Sequence, residues 1–327
     1  MKLSFFALLL LAILSLFTGS VSLSPTEVWH TLFGEGTDVA RFIVIDSRLP
    51  QLFTAAFSGA ALAVSGLVMQ SLFANPLADP SLLGVNSGAS LGAAVAMLLL
   101  GGTYSLGYTS LSGVMLTVVM AFLGACMVIA LLTVCSRYVR GNLSLLVAGV
   151  MLSFAISAVI SLLSFYATAD GVRSFVVWGM GDFAGVPLHW MPFFGLCIAV
   201  PLALLLCFAQ PLNALLLGPD YARNLGVNVR SVRTQALLLV GLLSAVVTAL
   251  CGPISFIGLA VPHMARLLRR SANHRVLIPL TAILGADVAL FSLVLSHIPG
   301  ERGTLPLSVI TPFIGVPVVI YILLRHR

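Results

Sequence analysis

Residues 75–92, NPLADPSLLGVNSGASLG, place two X-Pro pairs between two long apolar runs. Proline removes a backbone donor and disfavours helix in the residue before it, so one helix is expected to stop near Asn75 and another to restart at Pro80, with Asp79 as its N-cap. Irregular backbone at membrane depth survives only where protein shields it or where it lines a wet cavity. On the residues alone, two readings stay open: a helix break beside a translocation path, or a tight turn between helices. Gly84, Gly88 and Gly92 recur at a spacing of four and form a small-residue stripe that lets another helix approach closely. The same stretch contains GASLG, which fits the G-x-S-x-G pattern of hydrolase nucleophiles, but Ser90 sits inside an apolar helical run with no strand-turn-helix context.

The whole chain repeats the flanking pattern. Of its 327 residues 60% are hydrophobic and only 8% charged, against about 25% charged in a soluble domain. So few charges cannot cover a water-facing surface, and the excess apolar surface must face lipid. Runs long enough to cross a hydrocarbon core of roughly 30 Å occur near residues 3–19, 51–73, 81–100, 110–134, 143–165, 190–209, 235–251, 276–295 and 305–324. A tenth, 254–268, is short and holds Pro262, as in a broken or tilted helix. The expected architecture is an all-α polytopic membrane protein of about ten transmembrane helices, one domain over 1–327.

Counting the tenth run puts both termini on one side. With that side cytoplasmic, Lys2, Arg137, Arg140, Arg223, Arg230, Arg233, Arg266, Arg269, Arg270, Arg275, Arg325 and Arg327 fall inside. Arg41, Arg48, Arg173 and Arg302 fall outside, an asymmetry that obeys the positive-inside rule. The first twenty residues also fit a secretory signal, and orientation does not discriminate, because the following loop is external either way. The basic residues are strewn between apolar runs rather than gathered on a polar face, which argues against a nucleic-acid partner. Lys2 is the only lysine, so the chain holds no GxxxxGK[ST] phosphate loop and cannot itself be a P-loop ATPase. Cys126, Cys135, Cys197, Cys207 and Cys251 form no CxxC pair and read as small hydrophobes.

Four further features bear on function. LLLGPDYARNLGVNVRSVR, residues 215–233, is the longest polar segment on the cytoplasmic side. It reads as a short helix begun by Pro219, favoured by Asp220 at its positive end and closed by Gly226. Two turns bury little surface alone, so this helix should dock on a cytoplasmic partner or on its own bundle, and the first is favoured. Asp287 is the one acid well inside a span; proton coupling and a structural acid are both open, the second favoured because spans one to eight offer no companion group. His263 fits a helix-end hydrogen bond better than a metal ligand, there being no second ligand at suitable spacing. Trp29, Trp178, His189 and Trp190 read as interfacial anchors. No catalytic constellation, metal site or cofactor motif emerges.

Seven strings in order, RLP (48–50), GAALAVSG (59–66), NPLADPSLLG (75–84), LVAGV (146–150), LGPDYARNLGV (217–227), FIGLAVPHMARLL (256–268) and LPLSVITPFIGVP (305–317), resemble the permease subunits of BtuC-type ABC importers, the FecCD family. The resemblance implies a ten-helix inner-membrane subunit with broken helices, span one retained and both termini cytoplasmic. It further implies a homodimer with two ATP-binding cassette subunits below, a periplasmic binding protein above, and an iron-siderophore or haem as cargo, with cobalamin as the alternative. It maps ATPase coupling onto Pro219, Asp220, Tyr221, Ala222, Arg223, Asn224, Leu225 and Gly226, the translocation gate onto Asn75 and Asn142, and binding-protein docking onto Arg48 and Arg302. The sequence departs from the family pattern in four places. Gln51 stands where a second docking Arg is common, His297 occupies a third such position, Ala74 replaces a basic residue before NPLA, and Asp287 lies several residues before the usual span-nine acid. The alternative of another class is an ion-coupled secondary transporter using Asp287.

Overall fold

The computed structural model describes residues 2–100, 104–106, 109–111, 113–138, 142–298, 300 and 303–325. Helix α1 (Lys2–Phe17) is followed by the short helix α2 (Pro25–Leu32). A reciprocal pair of bonds starts α2: the Glu27 backbone N–H donates to Ser24 Oγ while the Glu27 carboxylate accepts from the Ser24 N–H. Helix α3 (Asp38–Arg41) runs through a π-helical stretch, Phe42–Arg48, directly into α4 (Leu49–Phe73), so that Asp38–Phe73 forms one 36-residue segment. After the break come α5 (Val85–Ala94), α6 (Gly113–Tyr138), α7 (Asn142–Tyr166), α8 (Ala169–Gly179) and α9 (Met191–Cys207). Then follow α10 (Ala209–Leu215), α11 (Pro219–Asn224), α12 (Val229–Cys251), α13 (Ile257–Arg269), α14 (His274–Ser296) and α15 (Leu307–Arg325).

Six segments are long and apolar enough to cross a membrane: Asp38–Phe73, Gly113–Cys135, Ser144–Tyr166, Leu188–Cys207, Val229–Cys251 and His274–Ser296. Ser4–Phe17, Val85–Leu99 and Leu307–Tyr321 are shorter apolar helices. These nine coincide with the nine apolar runs of the sequence. The tenth run is α13, whose 13 residues span only about 20 Å at 1.5 Å per residue. One feature outside the all-α expectation is a small antiparallel hairpin pairing Tyr104–Leu106 with Thr109–Leu111.

Glycine sets the packing at the centre. A Cβ on Gly59 would meet the backbone of Gly285 and one on Gly285 the backbone of Gly59, while Gly59 also faces Ala289 and Gly285 faces Ala63. That pairing fixes α4 and α14 as antiparallel and nearly in backbone contact. Gly66 lies equally close to the Gly258 backbone, which brings α13 against the same helix. The predicted stripe does the same for α5: Gly88 meets Gly124 and Gly92 meets Met120, both on α6. With no hydrophobic driving force between helices in lipid, such close van der Waals approach replaces it.

Between α12 and α13, Gly252, Pro253, Ile254 and Ser255 belong to neither helix nor strand, and backbone bonds tie together the segments around them. The Asp182 N–H donates to the Cys251 carbonyl at 2.8 Å, and the Ser308 N–H to the Met180 carbonyl at 2.9 Å. Helix α1 packs along α14 and buries Ser15. The Leu16 carbonyl, near its C-terminus, accepts a bond from the Arg48 side chain.

Candidate functional site: the helix break, the cytoplasmic helix and the external arginine

The break forms as the prolines dictate. Helix α4 ends at Phe73, and Ala74 takes the left-handed conformation (φ 47°) that turns the chain. The N–H of Asn75 donates to the Gln70 carbonyl at 3.2 Å, and Asn75 Oδ1 accepts the Leu77 N–H at 2.9 Å. Asp79 then caps the short 3-10 turn Pro80–Leu83, its Oδ1 accepting from the Ser81 N–H (2.8 Å) and the Ser81 hydroxyl (2.6 Å). Burial raises the Asp79 carboxyl pKa against the lowering effect of those two bonds. Its Oδ2 faces Gly258, where a Cβ would come within 2.5 Å, so α13 is shaped to receive the turn. Gly84, at φ 79°, starts α5.

Gln70, 4% exposed, cross-links this end of α4 to α13. Its Oε1 accepts from Arg266 Nη1 at 2.6 Å and its Nε2 donates to the Leu259 carbonyl at 3.3 Å. His263 bonds the same Leu259 carbonyl through Nδ1 at 2.9 Å, inside α13 rather than at the helix end expected of it. Among the described residues no three His, Cys, Asp or Glu side chains gather as a metal site.

Helix α11 is six residues long, begins at Pro219 and is closed by Gly226 at φ 82°. Ala222 is buried, whereas Asp220, Tyr221, Arg223, Asn224 and Leu225 are exposed. An Arg223–Asp220 bond of 2.6 Å joins consecutive turns of this face. Just before it, α10 presents Asn213, whose Oδ1 accepts from both the His274 N–H (2.9 Å) and His274 Nδ1 (2.7 Å). The His274 Nε2 lies 2.6 Å from Ser71 Oγ on α4. Sequence reading missed Gln70, Ser71, Asn213 and His274. The available signal was Gln70 itself, an amide standing inside an apolar run.

At the start of α4, Arg48 is 4% exposed. Its guanidinium donates to the carbonyls of Leu16 at 2.8 Å and Val21 at 2.5 Å, with Gly19 packed against it. A cation on the last carbonyls of a helix complements the dipole, and this one ties α1 to α4. Burial first, and the Arg48 charge second, lower the pKa of nearby His297 against the raising effects of Asp182 and of a backbone bond to Leu293. Gln51 turns back to Ser47 Oγ at 3.2 Å. Arg302 lies outside the described residues, as does the side chain of Asn142, the first residue of α7. Asp287 is 8% exposed, and its Oδ1 has no partner among the described residues.

A bundle of apolar helices, glycine-tight at its centre, broken by a protein-shielded turn and carrying an exposed polar helix between spans, is a polytopic permease. The chain matches the FecCD transport family over residues 7–325 and belongs to it. It is the permease of an ABC importer of the FecCD/BtuC kind. It is 36% identical to the vitamin B12 import system permease protein BtuC of Citrobacter koseri, over 98% of this chain and 92% of the relative. The identity is also 36% to the hemin transport system permease protein HmuU of Yersinia pestis, over 98% and 95%. A solved structure described as an inward-facing conformation of a metal-chelate type ABC transporter superposes with a TM-score of 0.85 at 30% identity, covering 99% of both chains.

Proposed function

We propose that this permease carries an iron chelate, a siderophore complex or haem, from periplasm to cytoplasm across the inner membrane. It acts as a homodimer driven by two ATP-binding cassette subunits and fed by a periplasmic binding protein, with both of its own termini cytoplasmic. The observation that carries the reading is α11. A six-residue helix with one buried residue and five exposed ones, Tyr221 among them, followed by the exposed Leu225, presents more apolar and charged surface than its own bundle uses. A partner subunit that hydrolyses ATP accounts for that surface and for a chain whose only lysine is Lys2. Residues 219–226 are then the ATPase contact, and the turn at Asn75 together with Asn142, at the head of α7, the cytoplasmic gate.

Docking of the binding protein falls to Arg48 and Arg302 in this scheme. For Arg48 to serve, an acidic side chain must replace the Leu16 and Val21 carbonyls. Cobalamin is the alternative cargo, supported by the BtuC relatives. The reading of another class, ion-coupled transport through Asp287, draws on the unpartnered carboxyl oxygen in α14.

The test is purification of the chain from its native membrane with whatever binds it, followed by uptake of hemin, cyanocobalamin and a ferric hydroxamate into proteoliposomes. Co-purification of an ATPase and ATP-dependent uptake of one probe are expected. Uptake that follows an imposed proton gradient without ATP sinks the proposal in favour of the Asp287 reading.

A further inference from the structure

We infer that Asn213 and His274 are positioning residues that join the cytoplasmic helix pair α10–α11 to the gate end of α4. The inference rests on the reading of residues 219–226 as the ATPase contact. Three elements distant in sequence meet here. Asn213 is on α10, five residues before Gly218, which precedes α11. His274 is the first residue of α14, and Ser71 lies in the last turn of α4. His274 is 1% exposed and Ser71 5%, so water does not substitute for these bonds.

The proton inventory closes in only one way for a neutral imidazole. Asn213 Oδ1 accepts from the backbone N–H and from Nδ1 of His274, so the proton sits on Nδ1, and Ser71 Oγ, 2.6 Å from Nε2 and 2.9 Å from the Leu67 carbonyl, shares its one hydroxyl proton between the two. The Asn213 amide is oriented by its own Nδ2, which donates to Asn273 Oδ1 at 2.9 Å. Asn213 therefore caps α14 from outside, serving one of the donors that a helix start leaves free. The imidazole carries the connection on to α4 across a span of chain exceeding two hundred residues.

The α4 end of this link is the gate turn itself. Ser71 accepts the Ala74 N–H through its carbonyl at 3.4 Å, and its neighbour Gln70 accepts the Asn75 N–H at 3.2 Å. Gln70 is in turn held by Arg266 and Leu259 of α13. A displacement of α10 thus pulls, through buried bonds shorter than 3 Å, on the turn that holds Asn75.

Two substitutions divide the link. His274→Asn places an amide near the Nδ1 position and keeps the reach to Asn213 but not to Ser71. His274→Gln reaches toward Ser71 but gives up the Nδ1 bond. Hydrogen–deuterium exchange of residues 70–79 is measured in the purified permease–ATPase complex, before and after trapping with ATP and vanadate. The wild-type complex should change its exchange on trapping. Each variant should lose about tenfold of that change, the scale of a typical coupling between sites, while still trapping nucleotide. Ser71→Ala, which leaves the α14 cap intact, should do the same.

A role confined to capping α14 leaves the trapping-dependent change in place, so an undiminished change in His274→Asn and Ser71→Ala overturns the inference. A wild-type complex that traps nucleotide without any change at residues 70–79 overturns it too. If no ATPase binds the wild-type chain, the functional reading falls and takes the inference with it.

Discussion

Helices α4 and α7 are each 25 residues long and apolar, yet 78% of the apolar window around α4 is buried inside the protein and only 17% of that in α7. The window in α7 is the more hydrophobic of the two, so hydropathy has not decided which helix is central. Side-chain size and polarity have. The buried face of α4 carries Ser58, Gly59, Ala63, Ser65, Gly66, Gln70 and Ser71, small enough for backbone contact or polar enough to need a partner. Helix α7 instead exposes Met151, Phe154, Leu162, Phe165 and Tyr166, which lipid or another apolar surface solvates as well as protein does. In a bilayer, packing contacts and hydrogen bonds sort helices inward, because lipid tails already satisfy apolar surface.

The largest effect expected from this contrast is on the glycine face. Gly66→Leu drives a side chain into the Gly258 backbone and should cost about 3 kcal/mol, the upper range for overpacking. It is read as a lowered unfolding temperature or lost monodispersity in detergent. A tolerated leucine would show that α4 and α13 are not in backbone contact. Arg48→Ala should come next, at about 2 kcal/mol, since two partly buried bonds from a charged donor are lost. Thermal unfolding measures it, and cleavage of the chain after residue 17 should become easier as α1 loosens.

Asp79 gives a smaller effect with a definite sign. A carboxyl whose pKa is raised in the folded state holds its proton longer than the unfolded chain does. Its contribution to stability therefore falls as pH rises from the unfolded carboxylate value through the raised one. Asp79→Asn keeps an oxygen for Ser81 and should remove that slope, seen as a smaller loss of stability in the variant between mildly acidic and neutral pH. Identical slopes would place the carboxyl in a wet site. Phe154→Leu on α7 should be the smallest, within about 0.5 kcal/mol in the detergent-solubilised single chain. A loss confined to the assembled importer would show that a second copy covers this face.

Much of this was legible beforehand. The nine apolar runs, the short element with Pro262, the stop before Asn75, the Asp79 cap and the Gly226 closure all follow from local chemistry: proline geometry, capping and span length. The glycine stripe at Gly84, Gly88 and Gly92 announced a close helix without naming it; that α6 supplies Gly124 is a fact of the fold. What escaped the reading were links between distant residues. Nothing near Asn213 in sequence points to His274, and nothing near His274 points to Ser71. Arg48 was read as external and available for docking; its side chain is buried against the carbonyls of Leu16 and Val21.

The sequence by itself determined that the chain lives in lipid, where its helices start and stop, and which end of each bears the arginines, since these depend on a residue and its near neighbours. Only the tertiary structure decided which of those helices is central and which polar groups are shared. In a medium where nearly every helix is apolar, inside and outside are distinguished by contacts between segments far apart in the chain, and no local pattern encodes those.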